Sequence, residues 1–275
     1  MHVAGFDIEI LVQGFPGKSV CHGGLGWSTV VLVRGEGRVV LIDTGSFNMR
    51  RLILNQLERH HLSPADVTDV LLTHAHYDHS INWIMFANAR IVIGAEELCW
   101  AVAQPFGDPL VPELYIRDLA LSPRAQIVRD GEQVFPGMTA HVAPGHTPGH
   151  LIFVLSTPAR EVIFTGDAAK NRAELVSGIA DMTMNKDASI ASIARIWQLW
   201  RQRSDTILVP GHDVPMVLEN ELPTYIEARR AGITTWFDDN LEQTTLFELK
   251  AAEPALPRAA RRCHDGFATS RGRAR

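Results

Sequence analysis

With 275 residues, of which 46% are hydrophobic, the chain is long enough to bury a sizeable core and sits near the upper size of a single domain. Six arginines after residue 257 face only Asp265, so the overall charge of −5 leaves −10 on residues 1–257; a body that acidic repels phosphate backbones, so nucleic acid could bind only through the tail, and none is expected as a partner. No run approaches the ~20 apolar residues that cross a bilayer, Asp7 and Glu9 stand where a signal peptide needs basic residues, and three cysteines without CxxC spacing suit a reducing compartment, so the expectation is a soluble, cytoplasmic protein without a membrane partner.

In chain order, residues 6–12, 28–33 and 38–42 read as strands, the last two separated by Arg34-Gly35-Glu36-Gly37. Between the first two lies a glycine-rich loop from Gly14 to Trp27. Its Gly17-Lys18-Ser19 is not a phosphate loop, because Val12 occupies the position of the first glycine and no helical pattern follows. Apolar residues at 47, 49, 52, 53, 54 and 57 predict a helix over 47–60, and Ser63-Pro64 starts a short helical turn. Strands follow at 68–72 and 90–93, with a short helix over 81–86. Pro105, Pro109, Pro112 and Pro123 predict an irregular insertion or lid over 95–125. Strands return at 126–128, 138–142, 150–155, 161–164 and 206–209, with an apolar helix over 189–203 and a closing helix over 219–230.

The densest chemistry is Thr73-His74-Ala75-His76-Tyr77-Asp78-His79, directly after the apolar run Val70-Leu71-Leu72. Three imidazoles and a carboxylate in six positions at a strand end are a metal site, because such groups suit divalent first-row metals and go unsatisfied without one. Asp43, His146, Asp167 and His212 each follow an apolar strand or sit in a Gly/Pro turn beside one, so loops at one end of a sheet would bring them to the same place.

These motifs, Leu-Ile-Asp43-Thr-Gly, Thr-His74-Ala-His76-Tyr-Asp78-His79, Pro-Gly-His146-Thr-Pro-Gly-His150, Thr-Gly-Asp167 and Val-Pro-Gly-His212, resemble in order those of the metallo-β-lactamase-fold hydrolase superfamily, in its lactonase and glyoxalase II-like branch. The resemblance covers about residues 5–230 and implies an α+β fold, a four-layer αβ/βα sandwich with metal at its rim. It implies a catalytic domain over residues 1–250 and leaves 251–275 as a basic, disordered tail. It implies that His74, His76 and His146 hold one divalent ion and Asp78, His79 and His212 a second, with Asp167 between them. The metals would be zinc, with iron or manganese as alternatives, and Asp78 and Asp167 the catalytic carboxylates. Asp43 would orient the cluster from behind, and His150 would be structural.

The expected activity is hydrolysis of an ester, lactone, thioester or amide of a small metabolite by a metal-bridging hydroxide. The alternative is a mononuclear non-haem iron oxidoreductase resembling the persulfide dioxygenases of the same fold; retention of all seven ligands favours two metals. Acyl-homoserine-lactone-cleaving relatives carry a tyrosine about three residues after the bridging aspartate, where this chain has Lys170, which counts against that substrate. Segments 15–27, 100–115 and 170–184 are expected to flank the metals. Phe15, Trp27, Trp83, Phe106 and Lys170 are the candidate pocket residues, although the area that aromatics bury places at least half of them in the core. A small-molecule substrate is expected, and a homodimer is left open.

Overall fold

The computed structural model describes residues 1–20, 23–237 and 239–250; the basic tail inferred over 251–275 lies outside the described residues. Residues Met1–Arg229 form one compact unit. Residues 230–250, which the sequence reading grouped with the catalytic domain, belong to a second unit, where Gly232–Thr235 pairs antiparallel with Thr245–Glu248.

Two seven-stranded sheets build the first unit. One runs His2–Val3, Phe6–Val12, Val30–Gly35, Arg38–Ile42, Asp69–Leu71, Arg90–Gly94 and Ala125–Val128; it is antiparallel up to Arg38–Ile42 and parallel from there on. The other runs Gln133–Phe135, Met138–Val142, Leu151–Ser156, Glu161–Gly166, Ile207–Pro210, Met216–Glu219 and Leu222–Tyr225, with its one parallel pairing between Glu161–Gly166 and Ile207–Pro210.

Strand periodicity of two explains the layering. Val31, Val33, Val40 and Ile42 of the first sheet meet Phe153, Leu155, Val162, Phe164, Ile207 and Val209 of the second in one core between the sheets. The alternate residues Val30, Leu32 and Leu41 pack outward with Ile53 and Leu57 of helix Arg50–Arg59. On the far side Ile152, Val154, Ile163 and Leu208 pack outward with Ile196 and Trp200 of helix Lys186–Trp200. Helix, sheet, sheet, helix is therefore the order of layers, as the α+β sandwich reading expected.

Two expectations are corrected. The stretch 95–125 holds two regular helices, Ala95–Val102 and Glu113–Leu121, because its prolines fall between and beyond them: Pro112 is the N-cap of the second and Pro123 lies past its end. The closing helix over 219–230 does not form. Met216–Glu219 and Leu222–Tyr225 make an antiparallel hairpin instead, turning through Asn220 and Glu221 with φ of 51° and 64°.

Candidate metal centre

Asp43 sits just beyond strand Arg38–Ile42 in a left-handed backbone conformation, φ 58°. That turn aims its carboxylate at the neighbouring strand end. Oδ1 accepts the Thr73 backbone N–H at 2.8 Å, while Oδ2 accepts the Thr73 hydroxyl at 2.9 Å and lies 2.7 Å from His79 Nδ1. Thr73 Oγ1 is in turn 3.1 Å from His74 Nδ1. One carboxylate thus sets the orientation of two imidazoles, leaving their Nε2 atoms directed inward.

The remaining groups arrive on separate loops. His76 is the N-cap of the short helix Tyr77–Ser80, which carries Asp78 and His79. His146 lies between strands Met138–Val142 and Leu151–Ser156, and its Nδ1 is 3.0 Å from Met182 O. Asp167 follows strand Glu161–Gly166, and its backbone N–H donates to His150 Nε2 at 2.9 Å. His212 follows strand Ile207–Pro210 and donates its backbone N–H to Lys170 O at 2.8 Å.

The structure brings these side chains together. His74, His76 and His146 offer ligand atoms within 4.8 Å of one another, as do His74, His79 and Asp167, and as do Asp78, His79 and His212. Asp167 is shared: Oδ2 lies 3.3 Å from His146 Nε2, while Oδ1 lies 3.3 Å from His79 Nε2 and 3.2 Å from His212 Nε2. Buried in this cluster, His74 Nε2 and Asp167 Oδ1 have no hydrogen-bond partner. An orphaned acceptor such as His74 Nε2 costs about 1–3 kcal/mol, and Asp167 Oδ1 has only the nearby imidazoles of His79 and His212 to offset its burial. This donor set fits divalent metal, which would take up both orphaned lone pairs.

Electrostatics divide the imidazoles into two kinds. Burial holds His74 and His146 well below the usual histidine range, and it lowers His76 to about 4 against the opposing pull of Asp78 and Asp167. Such imidazoles are neutral at pH 7, the state that ligates metal. Burial opposes charge on His79 and His212 as well, but the carboxylates of Asp78 and Asp167 outweigh it and raise both. Asp167 is driven well below the carboxylate range because His212, His79 and His146 together outweigh its burial.

Over residues 23–212 the chain matches the metallo-beta-lactamase superfamily. It belongs to that superfamily. It is 26% identical over 208 residues to N-acyl homoserine lactonase AiiA of Bacillus thuringiensis subsp. kurstaki, covering 74% of this chain and 76% of that one. Its fold matches an N-acyl homoserine lactone hydrolase holding the product N-hexanoyl-L-homoserine at the catalytic metal centre, with a TM-score of 0.61 and 20% identity over 78% of this chain and 95% of the other. It also matches AidC, a dizinc quorum-quenching lactonase, with a TM-score of 0.62 and 18% identity over 82% and 92% of the two chains. As a member of the superfamily with lactonase relatives, the protein is a metal-dependent hydrolase.

In this metallo-β-lactamase fold the cluster forms the floor of a cavity of about 550 Å³ to which His76, Asp78, His146, Asp167 and His212 contribute. All three segments expected to flank it do so. Pro16, Gly17, Lys18, Gly24 and Gly26 come from the first, Leu110 from the second, and Lys170, Asn171, Glu174, Asp181 and Met182 from the third. The aromatic candidates are corrected. Trp83 is 2% exposed and packed in the helix-side core. Phe106 is exposed on the surface, with the Arg117 guanidinium 3.9 Å from its ring centroid. Phe15 and Trp27 stack on each other at 5.0 Å and brace the base of their loop instead of lining the cavity.

Lys170 does line the cavity. Its ammonium lies 3.1 Å from Glu174 Oε1 and donates to Asp181 O at 2.7 Å. Sequence reasoning missed Tyr77, Leu110 and Glu174, of which only Tyr77 had a signal, its place inside the histidine motif.

Proposed function

We propose that the protein is a dinuclear metal-dependent hydrolase that opens a lactone or ester of a small, partly apolar metabolite. The observation that carries this reading is the placement of Asp167, whose two carboxylate oxygens face different histidines, Oδ2 toward His146 and Oδ1 toward His79 and His212. His74, His76 and His146 would hold one ion, Asp78, His79 and His212 the other, and Asp167 both. Bound there, two divalent ions would supply Lewis acidity toward a carbonyl oxygen and a water acidified to near neutral pH.

The chain's own residues do the rest. Neutral His74, His76 and His146 are ready to ligate without first losing a proton. Glu174 and Asp181 hold the Lys170 ammonium at the cavity, where it can donate to an oxygen of the bound substrate. The cavity volume falls in the range of small-molecule sites, and Tyr77, Leu110 and Met182 give it apolar wall for a short acyl chain. Gly17, Gly24 and Gly26 contribute backbone alone to the lining, beside Pro16 and Lys18 of the same loop. Hydrolysis adds the elements of water across the acyl carbon–oxygen bond, leaving a carboxylic acid and an alcohol, which in a lactone remain in one molecule.

The likeness to lactonases supports testing lactones first among the candidates. The test is a panel of N-hexanoyl homoserine lactone, a simple γ-lactone, a nitrophenyl ester, a thioester and a β-lactam, followed by acid release. The expected result is faster turnover of the lactones and the ester than of the thioester or the β-lactam, abolished by a chelator and restored by zinc. Absence of hydrolysis of every carbonyl substrate by protein loaded with metal would contradict the reading.

A further inference from the structure

Glu97 is a fully buried carboxylate that the proposed chemistry does not use. It is the third residue of helix Ala95–Val102, and its two oxygens reach two different loops. Oε1 accepts the backbone N–H of Ala75 at 2.8 Å. Oε2 accepts the Thr147 hydroxyl at 2.7 Å and the Gly149 backbone N–H at 3.1 Å. Ala75 lies between His74 and His76, and Thr147 follows His146. A single side chain therefore ties together the two loops that carry the first group of histidines.

The approach is close on every side. A Cβ on Gly149 would run into the Glu97 backbone, so the loop rests directly on the first turn of the helix. All three partners are donors to the carboxylate, and a proton on Glu97 would displace one of them. Burial nevertheless pushes the group up to about 7, with the Thr147, Ala75 and Gly149 hydrogen bonds opposing it. The other half of the site has braces that do not involve Glu97: Asp43 holds His79 at 2.7 Å, besides reaching His74 through Thr73, and the His212 backbone N–H donates to Lys170 O.

We propose that Glu97 is a positioning residue for the His74, His76 and His146 half of the centre, joining the loop of His76 to that of His146 and setting the spacing that leaves His76 Nδ1 and His146 Nε2 3.0 Å apart. It touches neither metal nor substrate; it acts through Ala75, Thr147 and Gly149. The inference rests on the metal-centre reading above. Its particular consequence is that loss of Glu97 damages one metal position and spares the other.

Glu97→Gln keeps the size of the side chain but turns one oxygen into a donor that faces donors. The experiment titrates zinc into metal-free full-length protein against a chromophoric chelator, with the cobalt absorption spectrum as a second readout. Glu96→Gln, an exposed neighbour on the same helix, serves as control. Wild type and control are expected to bind two equivalents alike. Glu97→Gln is expected to weaken one equivalent by roughly 10–100-fold and shift its cobalt bands, with the other unchanged, as for partners that orient metal ligands elsewhere.

Two unchanged equivalents in Glu97→Gln would overturn the proposal and leave the metal-centre reading intact. Equal weakening of both would overturn it too, by showing a general scaffold role. A wild type that takes up no metal would overturn the metal-centre reading itself, and this inference with it. If circular dichroism shows that Glu97→Gln does not fold, Thr147→Val takes its place: selective weakening of the same equivalent supports the proposal, and unchanged binding overturns it.

Discussion

His150 accepts the Asp167 backbone N–H through Nε2, stacks on His74 with ring centroids 4.8 Å apart, and is completely buried. Its role is to hold the backbone of the shared aspartate while contributing no ligand atom to the metal groups. Burial lowers its pKa from 6.5 to about 3 despite the pull of Asp167. The sign follows from linkage: above pH 6.5 the imidazole is neutral in both states, whereas below it the unfolded chain binds a proton that the folded chain refuses. Stability is therefore lost as pH falls from 6.5 toward 3. His150→Gln removes this contribution while the other histidines remain in both proteins. Urea unfolding of the metal-free forms at pH 7 and pH 5 is expected to show wild type losing roughly 2 kcal/mol more than the variant over that interval. Equal losses would mean that His150 titrates normally in the fold.

The candidate metal ligands and the orienting Asp43 were legible at this scale because their chemistry is local: His74, His76, Asp78 and His79 fall within six positions, and Asp43, His146, Asp167 and His212 each stand at a strand end or in a turn beside one. Glu97, Leu110 and Glu174 were not, since their roles come from tertiary approach. Glu97 is one of two adjacent glutamates at a helix start, and only its contact with Ala75 and Thr147 sets it apart from exposed Glu96.

Among the elements, the hairpin Met216–Glu219 and Leu222–Tyr225 shows where periodicity misleads. The apolar spacing after residue 219 suits a helix, but Asn220 and Glu221 both adopt positive φ and close a two-residue turn. Pro223 was the second signal, tolerated because Leu222–Tyr225 is an edge strand. Asn is among the residues that accept this conformation readily. Asn220→Ala is expected to cost about 1 kcal/mol and Asn220→Gly close to none. Thermal unfolding of the two variants checks this; equal stability of Asn220→Ala and wild type would remove the turn from the explanation. The two helices within 95–125 carry the same lesson, since prolines that exclude one long element are compatible with two short ones around Pro105, Pro109 and Pro112.

At the scale of the unit Met1–Arg229, two sheets sharing one core carry loops from several strand ends, and these bring side chains from Asp43 to His212 together. The alternation that builds the sandwich was readable in the strands, and the order of its layers followed from the resemblance of the motifs. What stayed hidden was part of the cavity wall, because glycine backbone, Tyr77 and Leu110 stand where composition suggested Phe15, Trp27, Trp83 and Phe106.

If Asp167 joins two metal positions, metal stoichiometry by mass spectrometry on purified wild type and Asp167→Ala will show it. Close to two equivalents of transition metal are expected per wild-type chain, and loss of metal together with nearly all hydrolytic activity in Asp167→Ala. A single tightly bound iron in wild type, or two equivalents retained in Asp167→Ala, would contradict it.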